Sequence, residues 1–219
     1  MQTEAVIFDF DGLLVDTEST GLASWQNAWR EHGLELDLAT FFADHGGDTT
    51  VERYRRLAEA VGPGFDREAT HERRQAYRNA LNRDLGLRDG IDAWLAEARR
   101  AGIRCAVASS SPTIWVATLL DQFGRTGEFE VFAFGDEVAL PKPAPDVYLL
   151  ALDRLKLAPA QAIAVEDTPH GVAAAQAAGL ACVAIPNPHV DPARFGAADL
   201  LLGSAAEVSL AEALARIRR

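Results

Sequence analysis

The sequence predicts an α/β protein: a doubly wound, Rossmann-like parallel sheet with a small all-helical domain inserted after its first strand. Three observations carry this. From Leu87 onward, short apolar runs at 105–108, 131–134, 162–165 and 182–185 alternate with stretches of helical periodicity, and such alternation demands a parallel sheet covered on both faces. From Thr17 to Leu85 the chain shows amphipathic stretches and no strand-like apolar run of four or more residues. Polar residues then fall at the carboxyl ends of several strands, where the loops of such a sheet converge on one crevice.

Taken in order, Ala5-Val6-Ile7-Phe8 reads as a short buried strand that runs directly into Asp9-Phe10-Asp11-Gly12. The helix that follows places Leu22, Trp25, Ala28 and Trp29 on one face. Breaks at Gly33, Gly46-Gly47 and Gly62-Pro63-Gly64 divide the rest of the insertion into helices. Its many arginines, among them Arg53, Arg73, Arg74 and Arg78, read as a solvated surface. His45, Gly46, Thr49 and Thr50 read as a helix connection. This gives a helical cap over 17–85 and a discontinuous core over 1–16 and 86–219.

In the core, helices are expected near 91–101, 113–123, 146–155 and 171–178. Ser111 before Pro112 reads as a capping hydroxyl, and Gly102, Gly124 and Gly179 each close a helix. A short strand at 200–202 and a terminal helix from Ser209 complete the alternation. His170 beside Pro169 reads as a loop residue, since no second His or Cys stands at ligand spacing.

Composition narrows the functions. The chain has 219 residues, 48% of them hydrophobic, enough for a substantial core. A net charge of −11 argues against nucleic acid and acidic membrane as partners, because both need clustered Lys and Arg. No segment approaches the ~20 apolar residues of a membrane span. The two cysteines, Cys105 and Cys182, lie in strand-like stretches and read as buried hydrophobes in a reducing compartment, so the expectation is a soluble cytoplasmic protein. A monomer suffices for all of this.

Four strand ends carry chemistry. Asp9 and Asp11, spaced i, i+2, repel each other unless positive charge lies near, which marks a metal or phosphate address. Ser109-Ser110-Ser111 offers hydroxyls and amides beside a helix start. Lys142 stands between Pro141 and Pro143 in a loop, and Glu166-Asp167 follows 162–165. A calcium loop is excluded, because Leu13 and Leu14 stand where oxygen ligands and Gly are needed and Thr20 stands where the terminal Glu is needed.

The order of these motifs, Asp-Phe-Asp-Gly-Leu-Leu-Val-Asp-Thr-Glu at 9–18, Ser109, Lys142 within Lys-Pro-Ala-Pro-Asp, and Glu166-Asp167, resembles the haloacid dehalogenase superfamily over nearly the whole chain. The helical insertion looks like the small cap of its beta-phosphoglucomutase-like phosphatases. The resemblance implies that Asp9 is a nucleophile forming an aspartyl-phosphate and that Asp11 protonates the departing alcohol and then takes a proton from water. It implies Mg²⁺ held by the Asp9 carboxylate, the Asp11 carbonyl and Asp167. Glu166 would act through a metal-bound water or as an acceptor behind the ligands. Lys142, Ser109 and the Ser110 amide would hold the phosphoryl oxygens. Thr17 would act as a hinge and Glu18 as a substrate contact.

The implied substrate is a small phosphate ester, plausibly a sugar phosphate. A sugar phosphate mutase is the alternative, disfavoured by Gly21 where those enzymes carry His and by the absence of Arg from 46–50. Dehalogenation has no use for Asp11 or Asp167, phosphonate hydrolysis wants a Lys that 17–85 lacks, and a non-enzymatic phospho-Asp receiver has no use for Asp11 as acid.

Overall fold

A computed structural model describes residues 3–43 and 50–217, which form two compact units, one from residues up to Asp16 with those from Gly86 onward, the other Thr17–Leu85. The first unit is built on six parallel strands in the order β3-β2-β1-β4-β5-β6: β1 Ala5–Phe8, β2 Arg104–Ala108, β3 Val131–Ala133, β4 Ala162–Glu166, β5 Ala181–Ala184 and β6 Leu200–Leu201. The chain leaves β1 towards β2 on one side and later returns to β4 on the other. The carboxyl ends of β1 and β4 therefore border the crevice where strand order reverses.

Register fixes this boundary. Phe8 pairs with Val107 on one side and Val165 on the other, so Asp9 emerges level with the end of β4. The Asp9 amide donates to the Val165 carbonyl at 2.9 Å. β1 is buried along its whole length, as a central parallel strand must be.

The helices of this unit are α5 Ile91–Ala101, α6 Thr113–Gln122, α7 Asp146–Leu155, α8 Pro169–Ala177 and α9 Leu210–Ile217. On one face of the sheet, Ala5, Ile7, Ala106, Ala108, Ala164, Cys182 and Ala184 pack with Val147, Tyr148, Leu152 and Leu155 of α7 and with Val172, Ala174 and Ala175 of α8. The small strand residues admit the bulk of α7. Strand alternation sends Val6, Phe8, Val107, Val165 and Val183 to the other face, where α5 and α9 pack. The helix ends follow the glycines: Gly102, Gly124 and Gly179 all have positive φ.

Three local expectations differ from the structure. Glu166 is the last residue of β4 rather than a loop residue, because its backbone still pairs with Ala184. His170 lies in the first turn of α8, behind Thr168 as the capping residue and Pro169 at the first helical position. Ser111 does not cap α6. Asp136, in the loop after β3, accepts from the Thr113 amide at 3.0 Å and its hydroxyl at 2.8 Å, and these bonds hold its carboxyl below the usual range.

The second unit has helices α1 Thr17–Arg30, α2 Leu38–Ala43, α3 Thr50–Val61 and α4 Arg67–Asn82, with no strand among its described residues. The buried face of α1 is Thr17, Thr20, Ser24, Trp25 and Ala28, which is more polar than expected; Leu22 and Trp29 are only half-buried. Arg74 explains part of this and corrects the reading of the arginines as all surface. It is 6% exposed, donates to the Tyr54 hydroxyl at 2.8 Å and Ser24 Oγ at 3.1 Å, and lies over the Trp25 ring. Arg55, Arg56 and Arg73 do make surface ion pairs. Thr50 opens α3, while His45, Gly46 and Thr49 lie outside the described residues.

Candidate active site

The turn after β1 is shaped by its apolar residues. Phe10, Leu13, Leu14 and Val15 are wholly buried, which pins 10–15 against the core and leaves Asp11 to face the crevice beside Asp9. Gly12 takes φ of 79° so that its amide can reach the Val15 carbonyl at 2.8 Å, a conformation a side chain would strain. Arg88 braces the turn from outside, donating from its guanidinium to the Gly12 and Pro186 carbonyls.

Lys142 enters from the loop before α7 and supplies the local cation. Its Nζ lies 2.5 Å from Asp9 Oδ1, 2.6 Å from Glu166 Oε1 and 2.9 Å from the Ala108 carbonyl. Tyr148 of α7 donates to the same Glu166 oxygen at 2.6 Å. The other Glu166 oxygen accepts from the Asp167 amide at 3.1 Å. Glu166 is thus the fixed counter-charge of Lys142, and this is where the structure places a residue expected near a metal. Burial works against the Lys142 ammonium, yet the two carboxylates outweigh it and hold its pKa above the ordinary lysine value. Burial raises Asp9 well above the usual carboxylate range, opposed by Lys142 and reinforced by Glu166.

Asp167 follows at the end of β4, 1% exposed, and its Oδ2 accepts from Asn187 Nδ2 at 2.7 Å. Asp9, Glu166 and Asp167 each offer an oxygen within 4.8 Å of the others. Among the described residues, three buried carboxylates meet a single ammonium, an imbalance that a divalent cation with oxygen ligands would neutralise. All donors are hard oxygens, which fits Mg²⁺ and suits no thiophilic metal. Cys105 and Cys182 are buried thiols; burial pushes Cys105 up to about 11 and raises Cys182 as well, so neither is a ready ligand.

The remaining expected residues divide between the units. Ser109 is 1% exposed and its Oγ accepts from the Ser111 amide at 3.0 Å; Ser110 is exposed beside it. Ser110 also lies so near Gly135 that a Cβ there would meet its carbonyl oxygen at 1.9 Å. Asp11 receives Ser111 Oγ at 2.6 Å on Oδ2 and Trp115 Nε1 at 2.8 Å on Oδ1. Thr17 and Glu18 stand in the first turn of α1, in the helical unit.

Sequence reasoning missed Trp115, Tyr148, Asn187 and Arg88. Trp115 and Tyr148 sit in apolar helical stretches, although the polar tip of each is a reason to look for an acceptor. Asn187, in Ile185-Pro186-Asn187-Pro188 after β5, had a signal in its place, since it too follows a strand end.

Gly171 is a direct consequence of the Glu166 geometry. A Cβ at this position would lie 1.9 Å from the Glu166 carboxylate. Gly171→Ala is therefore expected to displace Glu166 and lower stability by about 1–3 kcal/mol, read as a reduced midpoint in urea unfolding.

Comparison with known proteins places these features in context. The family model described as haloacid dehalogenase-like hydrolase matches residues 6–185. The chain is 36% identical over 209 residues to YhcW of Bacillus subtilis, provisionally named a phosphatase, covering 95% of this chain and 94% of that one. It is 32% identical to the fructose-1-phosphate phosphatase YqaB of Escherichia coli, covering 81% of this chain and 94% of the relative. Among solved structures, CbbY from Rhodobacter sphaeroides in complex with phosphate superposes with a TM-score of 0.76 at 34% identity, over 96% of this chain and 98% of that one.

Proposed function

We propose a mechanism and a substrate class for this chain on one premise: it belongs to the haloacid dehalogenase-like hydrolases. It is a phosphoric monoester hydrolase, and the proposed substrate is a small phosphorylated metabolite of the sugar phosphate type, in keeping with the names of its relatives. The observation that carries the mechanism is the contact of Lys142 with both Asp9 and Glu166, with Asp167 in reach at the same crevice.

In this reading Asp9 attacks phosphorus. The bond from its carboxylate oxygen to phosphorus forms as the ester bond breaks, and the electron pair leaves on the alcohol oxygen, which takes a proton from Asp11. Asp11, now a carboxylate, accepts a proton from the water that attacks phosphorus next. That attack returns the electron pair to Asp9 and releases phosphate. Lys142, Ser109 and the Ser110 amide compensate the phosphoryl oxygens. Mg²⁺, held by the Asp9 carboxylate, the Asp11 carbonyl and Asp167, would screen the repulsion between carboxylate and phosphate. The helical unit takes the role of cap, selecting the alcohol, with Thr17 as hinge and Glu18 as contact.

The test is a turnover screen of the purified protein over sugar, nucleoside and glycolytic phosphates, with and without EDTA. Hydrolysis concentrated among sugar phosphates and abolished by EDTA is expected; turnover indifferent to chelation would contradict the metal. Asp167→Ala is expected to raise the Mg²⁺ concentration for half-activation by about 10-fold or more, and an unchanged titration would remove Asp167 from the ligand set.

A further inference from the structure

We infer that Trp115 is a positioning residue for Asp11, acting with Ser111 as a two-point clamp that sets the plane of its carboxylate for proton transfer. This rests on the reading of Asp11 as the general acid. The indole Nε1 donates to Oδ1 at 2.8 Å and the Ser111 hydroxyl to Oδ2 at 2.6 Å, so one donor fixes each oxygen.

The clamp is built on a rigid element. Ser111 and Trp115 flank the start of α6, where the Trp115 amide donates to the Pro112 carbonyl at 3.0 Å. Asp136 holds the same helix start through Thr113. Asp11 comes from the turn after β1, so the clamp joins the loops at the ends of two neighbouring strands. A half-exposed aspartate in a turn ordinarily samples several rotamers, and each unproductive one removes it from the reacting oxygen. Two donors arriving from one helix start restrict that freedom. Each carboxylate oxygen has two lone pairs, and the clamp takes one on each.

The step affected is protonation of the departing oxygen as the bond from phosphorus to that oxygen breaks and the bond from Asp9 to phosphorus forms. That proton matters little for an ester whose leaving oxygen is a weak base and greatly for one whose oxygen is strongly basic. The experiment therefore measures kcat/KM, which reports the first transfer, for 4-nitrophenyl phosphate and for phenyl phosphate, two esters of similar shape. Wild type, Trp115→Phe, Ser111→Ala and Asp11→Asn are compared.

Trp115→Phe and Ser111→Ala are each expected to lose about tenfold or more on phenyl phosphate and less than about threefold on 4-nitrophenyl phosphate. Asp11→Asn should show the same split more strongly. A split in Asp11→Asn with equal losses, or none, in both clamp variants overturns the clamp while leaving the acid assignment standing. Equal losses on both esters in Asp11→Asn overturn the acid assignment and the clamp with it. Ser111→Ala removes only a hydroxyl from a half-buried site, and its result decides the matter should Trp115→Phe fail to fold.

Discussion

Asp9→Asn is expected to reduce phosphate ester hydrolysis to below about one ten-thousandth of wild type while the circular dichroism spectrum stays unchanged. The amide keeps the shape of the carboxylate but has no charge with which to attack phosphorus. The backbone at this position is held by the sheet, with its amide on the Val165 carbonyl, so the fold does not depend on the carboxylate. Removing the negative charge also leaves Lys142 to Glu166, 2.6 Å away, so the ammonium stays paired. Assays on an activated aryl phosphate give the most stringent comparison, because a good leaving group lowers the barrier to displacement by any alternative nucleophile. Hydrolysis above that level in a preparation free of wild-type protein would mean that another group makes the bond to phosphorus.

Lys142→Ala is expected to have two effects that separate by measurement. Activity should fall by about 10²–10³ or more, the scale of removing one preorganised donor from a transition state. Stability should fall by about 3–5 kcal/mol in metal-free buffer, because Asp9 and Glu166 are buried and lose the cation they share. Added Mg²⁺ should recover part of the stability and little of the activity, since a divalent ion can balance the carboxylates without reaching the position of the ammonium. Turnover reads the loss of activity, and thermal unfolding with and without Mg²⁺ reads the loss of stability. A variant as stable as wild type in EDTA would show that the ammonium is not the balancing charge of the buried acids.

The sheet was legible in the sequence because each central strand is a short apolar run followed directly by polar residues, as in Ala5–Phe8 before Asp9. The polar residues read at the ends of β1, β2 and β4 lie in one unit and at one edge of its sheet, since parallel topology leaves them nowhere else to go. What was not legible depends on the direction of single side chains. Trp115 has the same sequence environment as a core residue, and only the path of α6 past the β1 turn shows that its nitrogen faces Asp11. The sequence points to Ser111 as the cap of α6 because the nearest hydroxyl is the local favourite. The hydroxyl is engaged by Asp11, and Asp136, 23 residues beyond Thr113, takes the capping role. Arg74 reads as solvated for a related reason: an Arg-rich helix looks exposed until a partner such as Tyr54 accepts one of its donors inside the packing. Long-range polar pairing has no periodicity, and hydrophobic pattern alone does not report it.

A crystal grown with Mg²⁺ and beryllium fluoride tests the central assignment most directly, because trifluoroberyllate bonds to an aspartyl oxygen in place of a phosphoryl group. The expected result is a beryllium adduct on an Asp9 carboxylate oxygen with the ammonium of Lys142 on its fluorines. An adduct on another residue, or Asp9 unmodified in a crystal of active protein, would contradict it.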